Sequence, residues 1–345
     1  MSSDAAGVQP IGMAAGAGVI HDIGYREYAG ERLGRPQIVR ALAVHGLRTA
    51  FGFGRGAKAK VFPTLLFVLM CLPAIISIAA MALNPHNGRL FPYDTYQSTL
   101  RPLVLLVFVA LQAPNLVSGD LRYHTLPLYF SRPIGRADYP LAKLIGFTAA
   151  CLLLIEVPLL ILWAGTIAQV HGASAVWHQT TALGPGLLYG AAWALLLASI
   201  SLALASSTGK RVFSICAVAI PLFVTWVLAT VLSHIGLQTF QPVTGNQPPA
   251  LASLAGLINP FTVLNGVTDW FGSAPRVLYA RFGGGPGPGG PGGPGGQGPG
   301  TAQAIAVHAV RLVGHFGPLY GVMFVLMLAL AIGGLLARYR KVGIA

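Results

Sequence analysis

Six stretches of the chain are almost purely apolar, and polar or Gly- and Pro-rich segments separate them. They cover 61–83, 102–119, 144–168, 182–206, 212–236 and 317–337. A helix that crosses roughly 30 Å of hydrocarbon needs about 20 apolar residues, so each stretch predicts a transmembrane helix. A further half-apolar piece, 250–271, is interrupted at Asn259-Pro260 and reads as a re-entrant or interfacial segment. Another, 302–313, sets Ile305, Ala306, Ala309 and Val313 on one helical face, with His308 and Arg311 elsewhere. Ahead of the first span, 36–51 places Ile38, Val39, Leu42, Ala43, Leu47 and Ala50 within half of a helical wheel. Arg40, His45 and Arg48 fall outside that arc, and Pro36 suits a first helical position. This predicts an amphipathic helix in the headgroup plane; the plain alternative is a basic flank.

The expected fold is thus an all-α integral membrane protein with six transmembrane helices and an amphipathic helix before the first. Its parts are a disordered tail (1–35), the interfacial helix and basic flank (36–60), and spans one to five (61–236), which enclose a loop at 120–143. A long segment (237–316) and the last span with a basic tail (317–345) follow. Within the long segment, 283–300 holds only Gly, Pro and Gln297, which predicts a solvated, disordered tract.

Composition closes off the alternatives. The chain is 54% hydrophobic and 9% charged over 345 residues, whereas soluble domains carry about a quarter charged residues. Too few charges remain to build a water-facing surface. The net charge of +13 does not signal nucleic acid, because the cations cluster beside apolar runs, not in a stripe interleaved with aromatics. Their distribution sets an orientation. Seventeen Lys and Arg flank one side of the six spans, and five, including Arg89, Arg101 and Arg276, flank the other. The positive-inside rule places both termini in the cytoplasm, in agreement with the even number of spans. Residues 1–24 carry Asp4 and no strongly apolar middle, so no cleavable signal peptide is expected.

Candidate chemistry is sparse. Ser206-Ser207-Thr208-Gly209-Lys210-Arg211 is the nearest approach to a phosphate-binding loop, but it lacks the first glycine and the hydroxyl after Lys210. No ATPase or other catalytic motif is expected on this chain, and no metal site. His171 and His178 lie seven apart in one predicted outer loop, without further ligands nearby. Cys71, Cys151 and Cys216 each sit inside an apolar run with no metal or disulfide spacing. Glu156 is the one ionisable residue deep in a span, where carboxylates are costly and mark function by default. It has three readings: a translocation path or helix–helix hydrogen bond, proton coupling, or an incidental group. Gln112 and Asn115 are the other intramembrane polar candidates. Gly186 and Gly190 form a GxxxG string that permits close helix approach.

The loop at 120–143 is too charged to span and too aromatic for a plain linker. Tyr123, Leu126, Tyr129 and Phe130 stand among Arg122, Arg132 and Arg136, divided by Pro127, Pro133 and Pro140. Aromatics with Arg mark protein contacts, but Tyr and Arg also favour the headgroup belt. On residue chemistry both readings stand.

The string Leu128-Tyr129-Phe130-Ser131-Arg132-Pro133-Ile134-Gly135-Arg136-Ala137-Asp138-Tyr139, followed by Lys143, resembles the cytoplasmic loop between the second and third spans of bacterial ABC transporter permeases of the type-2 exporter class. The stretch from Asp120 to Thr125 is similar as well. The Gly/Pro tract at 283–300 departs from that pattern. The resemblance implies a chain in the cytoplasmic membrane of a bacterium, paired with a cytoplasmic ABC ATPase subunit and a second permease copy, identical or related. ATP and Mg would reside on the ATPase, leaving no cofactor on this chain. The loop would hold the coupling helix, with Tyr129, Arg132 and Arg136 docking, Tyr123, Leu126 and Tyr139 supplying apolar contact, and Asp120 and Arg122 within the same loop. The competing expectation is a proton-coupled secondary transporter that uses Glu156.

Overall fold

The computed structural model describes residues 30, 34–83, 101–131, 133–237, 250–271 and 316–342. Most of the tail predicted at 1–35 (1–29 and 31–33), the Gly/Pro tract, the segment at 302–313 and Arg132 lie outside the described residues; Arg35 already belongs to a helix. The elements are α1 (Arg35–Ala50), α2 (Ala57–Leu83), α3 (Arg101–Arg122), α4 (Leu126–Phe130), α5 (Asp138–Gln169), α6 (Ala173–Ala205), α7 (Arg211–Leu237), α8 (Ala250–Ala255), α9 (Pro260–Phe271) and α10 (Gly317–Val342). A 3₁₀ turn, Gly256–Ile258, joins α8 to α9. No strand occurs among the described residues. Six helices are long and apolar enough to cross a membrane: α2, α3, α5, α6, α7 and α10. The chain is a multi-pass membrane protein.

α2 starts at Ala57, four residues before its predicted span, and two helices start earlier still. α5 begins at Asp138, not at 144, and takes Tyr139 and Lys143 out of the loop. Its acidic first residue suits the positive end of the helix dipole, and Pro140 in the first turn has no hydrogen bond to lose. α6 begins at Ala173, not at 182, so His178 lies on a helix and not in a loop with His171. The polar run that hid this start is satisfied inside the helix: Thr180 donates to the Val176 carbonyl and Thr181 to that of His178.

α5 is the central helix, with α1, α2, α3, α6 and α10 packed on it. At 32 residues it is about 48 Å long, well beyond the hydrocarbon thickness, so its polar first turns reach the end of the bundle that carries the loop. Lipid supplies no hydrophobic drive between spans, and small residues that let backbones close up become decisive. α1 shows this. Its residues Leu42, Gly46, Thr49 and Ala50 are buried against the bundle, and Gly146 of α5 meets the backbone of α1 so closely that a Cβ there would overlap the Ala43 carbonyl. The apolar stripe of α1 therefore faces protein, while Arg40, Val44, His45 and Arg48 are exposed.

α8 and α9 have 6 and 12 residues, each too short for a crossing. The break falls at the predicted place. Asn259 accepts a hydrogen bond from the Phe261 backbone N–H at 2.7 Å and caps α9, with Pro260 in the favoured first position. The pair packs on α7 and α10, and the Tyr320 hydroxyl of α10 donates to the Ser253 carbonyl.

Candidate functional site

The loop end of the bundle is built around Asp120, in the last turn of α3. Its Oδ2 accepts the hydroxyl hydrogen bond of Tyr139 and an ion pair from Lys143 Nζ at 3.0 Å. Both partners are on the first turns of α5. α3 ends in a turn in which the Thr125 N–H reaches back to the Asp120 carbonyl and His124 takes a positive φ of 51°. This is the left-handed helix stop usually given to glycine. α4 then crosses towards α5. Inside it, Leu126 is buried, and the Tyr129 ring packs on Tyr139 with centroids 5.2 Å apart. On its other side Tyr139 packs on Tyr339 of α10, also at 5.2 Å. Tyr139 is 0% exposed. One tyrosine thus ties α3, α4, α5 and α10 together.

This sorts the predicted loop residues into two sets. Leu126 and Tyr139 are buried, and Asp120 and Tyr129 are half-buried. Leu126 and Tyr139, expected to supply apolar contact outward, instead brace the loop from within. Arg122, Tyr123 and Arg136 are exposed. Tyr123 is 70% exposed, and Leu128, which residue chemistry did not single out, is 71% exposed. The Arg122 guanidinium lies over the Tyr123 ring at 5.5 Å. The outer face of the loop is apolar and cationic at once. Nearby, Arg35 at the start of α1 makes a two-pronged ion pair with Asp138, at 2.6 and 2.7 Å, and Gly135 N–H donates to the same carboxylate at 2.7 Å. The pair holds Arg35 above its ordinary guanidinium value, through the hydrogen bond first and the charge second.

Glu156 lies elsewhere, on α5 within the span. Both carboxylate oxygens are enclosed and have no hydrogen-bond partner among the described residues. The carboxylate rests against Gly190 of α6, where an added Cβ would overlap Oε1. Gly190 of the GxxxG string makes this approach to Glu156. The next residue back, Tyr189, donates to the Asn265 side chain of α9, and the Arg101 guanidinium sits 5.7 Å from its ring centroid. Arg101 is 0% exposed, and its charge reaches Glu156. Sequence reading had placed Arg101 among the flanking cations of the outer side. The available signal was its position directly against Pro102 and an unbroken apolar run.

Gln112 and Asn115 do not join Glu156. Asn115 donates to the Gln112 side chain at 2.9 Å and to the Leu111 carbonyl at 3.0 Å. Asn115 is 14 residues beyond Arg101 on the same helix, about 21 Å away, and it belongs to the loop end. Cys71 and Cys151 are buried and Cys216 is exposed, all as free thiols. Among the described residues no group of three or more His, Cys, Asp or Glu is placed to hold a metal ion.

No protein-family model matches the chain, and no curated protein matches it.

Proposed function

We propose that the chain is the membrane-spanning permease subunit of an ATP-binding-cassette exporter in the cytoplasmic membrane of a bacterium. It moves a substrate by alternating access, and a separate cytoplasmic ATPase hydrolyses the ATP, with Mg held there. Two permease copies, identical or related, complete the assembly. The observation that carries this reading is the bracing of the 120–143 loop. Tyr123, Leu128, Arg122 and Arg136 of this loop are exposed, while Tyr139, Asp120 and Lys143 tie the loop to the ends of three spans. A push on the loop is delivered to α3, α5 and α10 together. ATP biases one packing of the bundle only through contacts that differ between the two packings, and a braced loop is a means of making that difference. Mild solubilisation of the native membrane and identification of stoichiometric partners tests the reading: a soluble ATPase with a Walker A motif co-purifies.

A second reading, the proton-coupled secondary transporter, is favoured by one observation: the enclosed Glu156 carboxylate has no hydrogen-bond partner among the described residues. Such a group inside a span suits a proton carrier. Glu156→Gln separates the two. Abolished transport, in a preparation whose partner ATPase still turns over, selects proton coupling, and retained transport selects the permease.

A further inference from the structure

A cavity of about 750 Å³ opens at the loop end of the bundle, between α1, the turn that follows it, α3 and α5. This is within the size range of small-molecule sites, about 300–1,000 Å³. Its wall carries His45, Arg48, Arg55 and Lys143 against a single carboxylate, Asp120. That carboxylate is already engaged by Lys143 and by the Tyr139 hydroxyl. The other side-chain ion pair among the described residues is Arg35–Asp138. Arg48 and Arg55 therefore face the cavity with no carboxylate assigned to either. The charge of Arg211 presses on Arg55 from α7, and Lys143 and Arg55 both act on His45. Like charges held around a concavity repel one another, and an anion placed among them removes that cost.

The apolar part of the wall identifies the anion's carrier. Leu116 and Phe53 line the same cavity. α2 starts two residues after Arg55 and leaves Val61, Phe62 and Leu65 uncovered. A phosphate joined to acyl chains uses both features, whereas a free phosphate has no use for the second. We propose that this cavity is a binding site for the headgroup of an anionic phospholipid, with the phosphate between Arg48 and Arg55 and the chains against the apolar start of α2. The residues that line it do not include Arg122, Tyr123, Leu128 or Arg136, and the site does not depend on the chain having an ATPase partner.

The test uses the full-length chain in mild detergent, equilibrated with equal amounts of phosphatidylglycerol and phosphatidylcholine, and counts retained lipids by native mass spectrometry. Phosphatidylglycerol is expected to be retained about thirtyfold more strongly, the effect of two cations near a membrane surface. The double variant R48Q/R55Q loses that preference. The charge-keeping variant R48K/R55K retains most of it, and K58Q/K60Q, on cations outside the cavity, leaves it intact. Thermal unfolding of each variant shows that it is folded, and the single variants R48Q and R55Q give the same reading if the double one is not. Equal retention of the two lipids overturns the site, as does an unchanged preference in folded R48Q/R55Q. Inorganic phosphate that displaces phosphatidylglycerol and raises the unfolding temperature by itself shows a free-anion site and overturns the lipid assignment.

Discussion

The hydroxyl of Tyr139 donates its hydrogen bond to the same Asp120 oxygen that pairs with Lys143. A polar triangle at the end of a membrane bundle thereby joins α3 to α5, with the Tyr139 ring wedged between Tyr129 and Tyr339. Tyr139→Phe keeps the ring stack and removes one hydrogen bond to a charged acceptor. A loss of about 2 kcal/mol is expected, read as a lower unfolding temperature of the full chain in detergent. Tyr139→Ala, which also empties a buried ring site, costs more, about 3–5 kcal/mol.

Gly190→Ala places a methyl group against the Glu156 carboxylate. Overpacking of this kind costs about 1–3 kcal/mol. The deepest overlap is with that carboxylate, with Ile155 Cγ2 next at 3.0 Å, so Glu156→Ala relieves most of the cost. A double-mutant cycle in thermal unfolding is expected to show strong non-additivity, whereas simple addition of the two effects places the carboxylate elsewhere.

Asn259→Ala removes the cap of α9 and its 2.7 Å bond to the Phe261 N–H. Loss of an N-cap costs about 1 kcal/mol. Hydrogen exchange is expected to rise in the first turn of α9 and to remain unchanged in α5.

His45 is held below the ordinary imidazole value, by burial first and by Lys143 next, with Arg55 adding to this and Asp120 opposing it. Arg48, one turn away on α1, lines the same cavity. The neutral ring is thus favoured in the folded chain. As pH falls through about 6.5, the unfolded histidine binds its proton first. Stability is full above that pH and declines below it, until the folded His45 is protonated too. His45→Asn is expected to flatten the decline below about pH 6.5 in a pH series of unfolding temperatures. An identical slope in the variant assigns the effect to another histidine.

The six spans were legible because a crossing helix needs a long apolar run, and such runs stand out in any window. Asn259-Pro260 was legible because that pair stops one helix and starts another. The early starts of α5 and α6 were not, since Asp138, Lys143, Thr180 and Thr181 look like loop residues until their partners on neighbouring turns and helices are known. The loop at 120–143 announced itself by its aromatics and arginines, but sequence does not say which aromatics point inward. Tyr139 is buried by Tyr339, two hundred residues later in the chain, and that pairing exists only in the folded bundle. Glu156 was singled out by charge alone, whereas its neighbours Gly190, Tyr189 and Arg101 come together from α6 and α3 through tertiary packing.

The exposed side of the loop gives the sharpest test of the permease reading. Tyr123, Leu128 and Arg136 are changed together to Ala, which leaves the Asp120–Tyr139–Lys143 brace in place, and the chain is purified mildly from its native membrane beside the unchanged protein. The unchanged chain is expected to carry a stoichiometric ATPase with a Walker A motif, and the triple variant to lose it while unfolding at the same temperature. An unchanged chain that transports its substrate with no ATPase bound contradicts the account, as does a triple variant that keeps its ATPase in full.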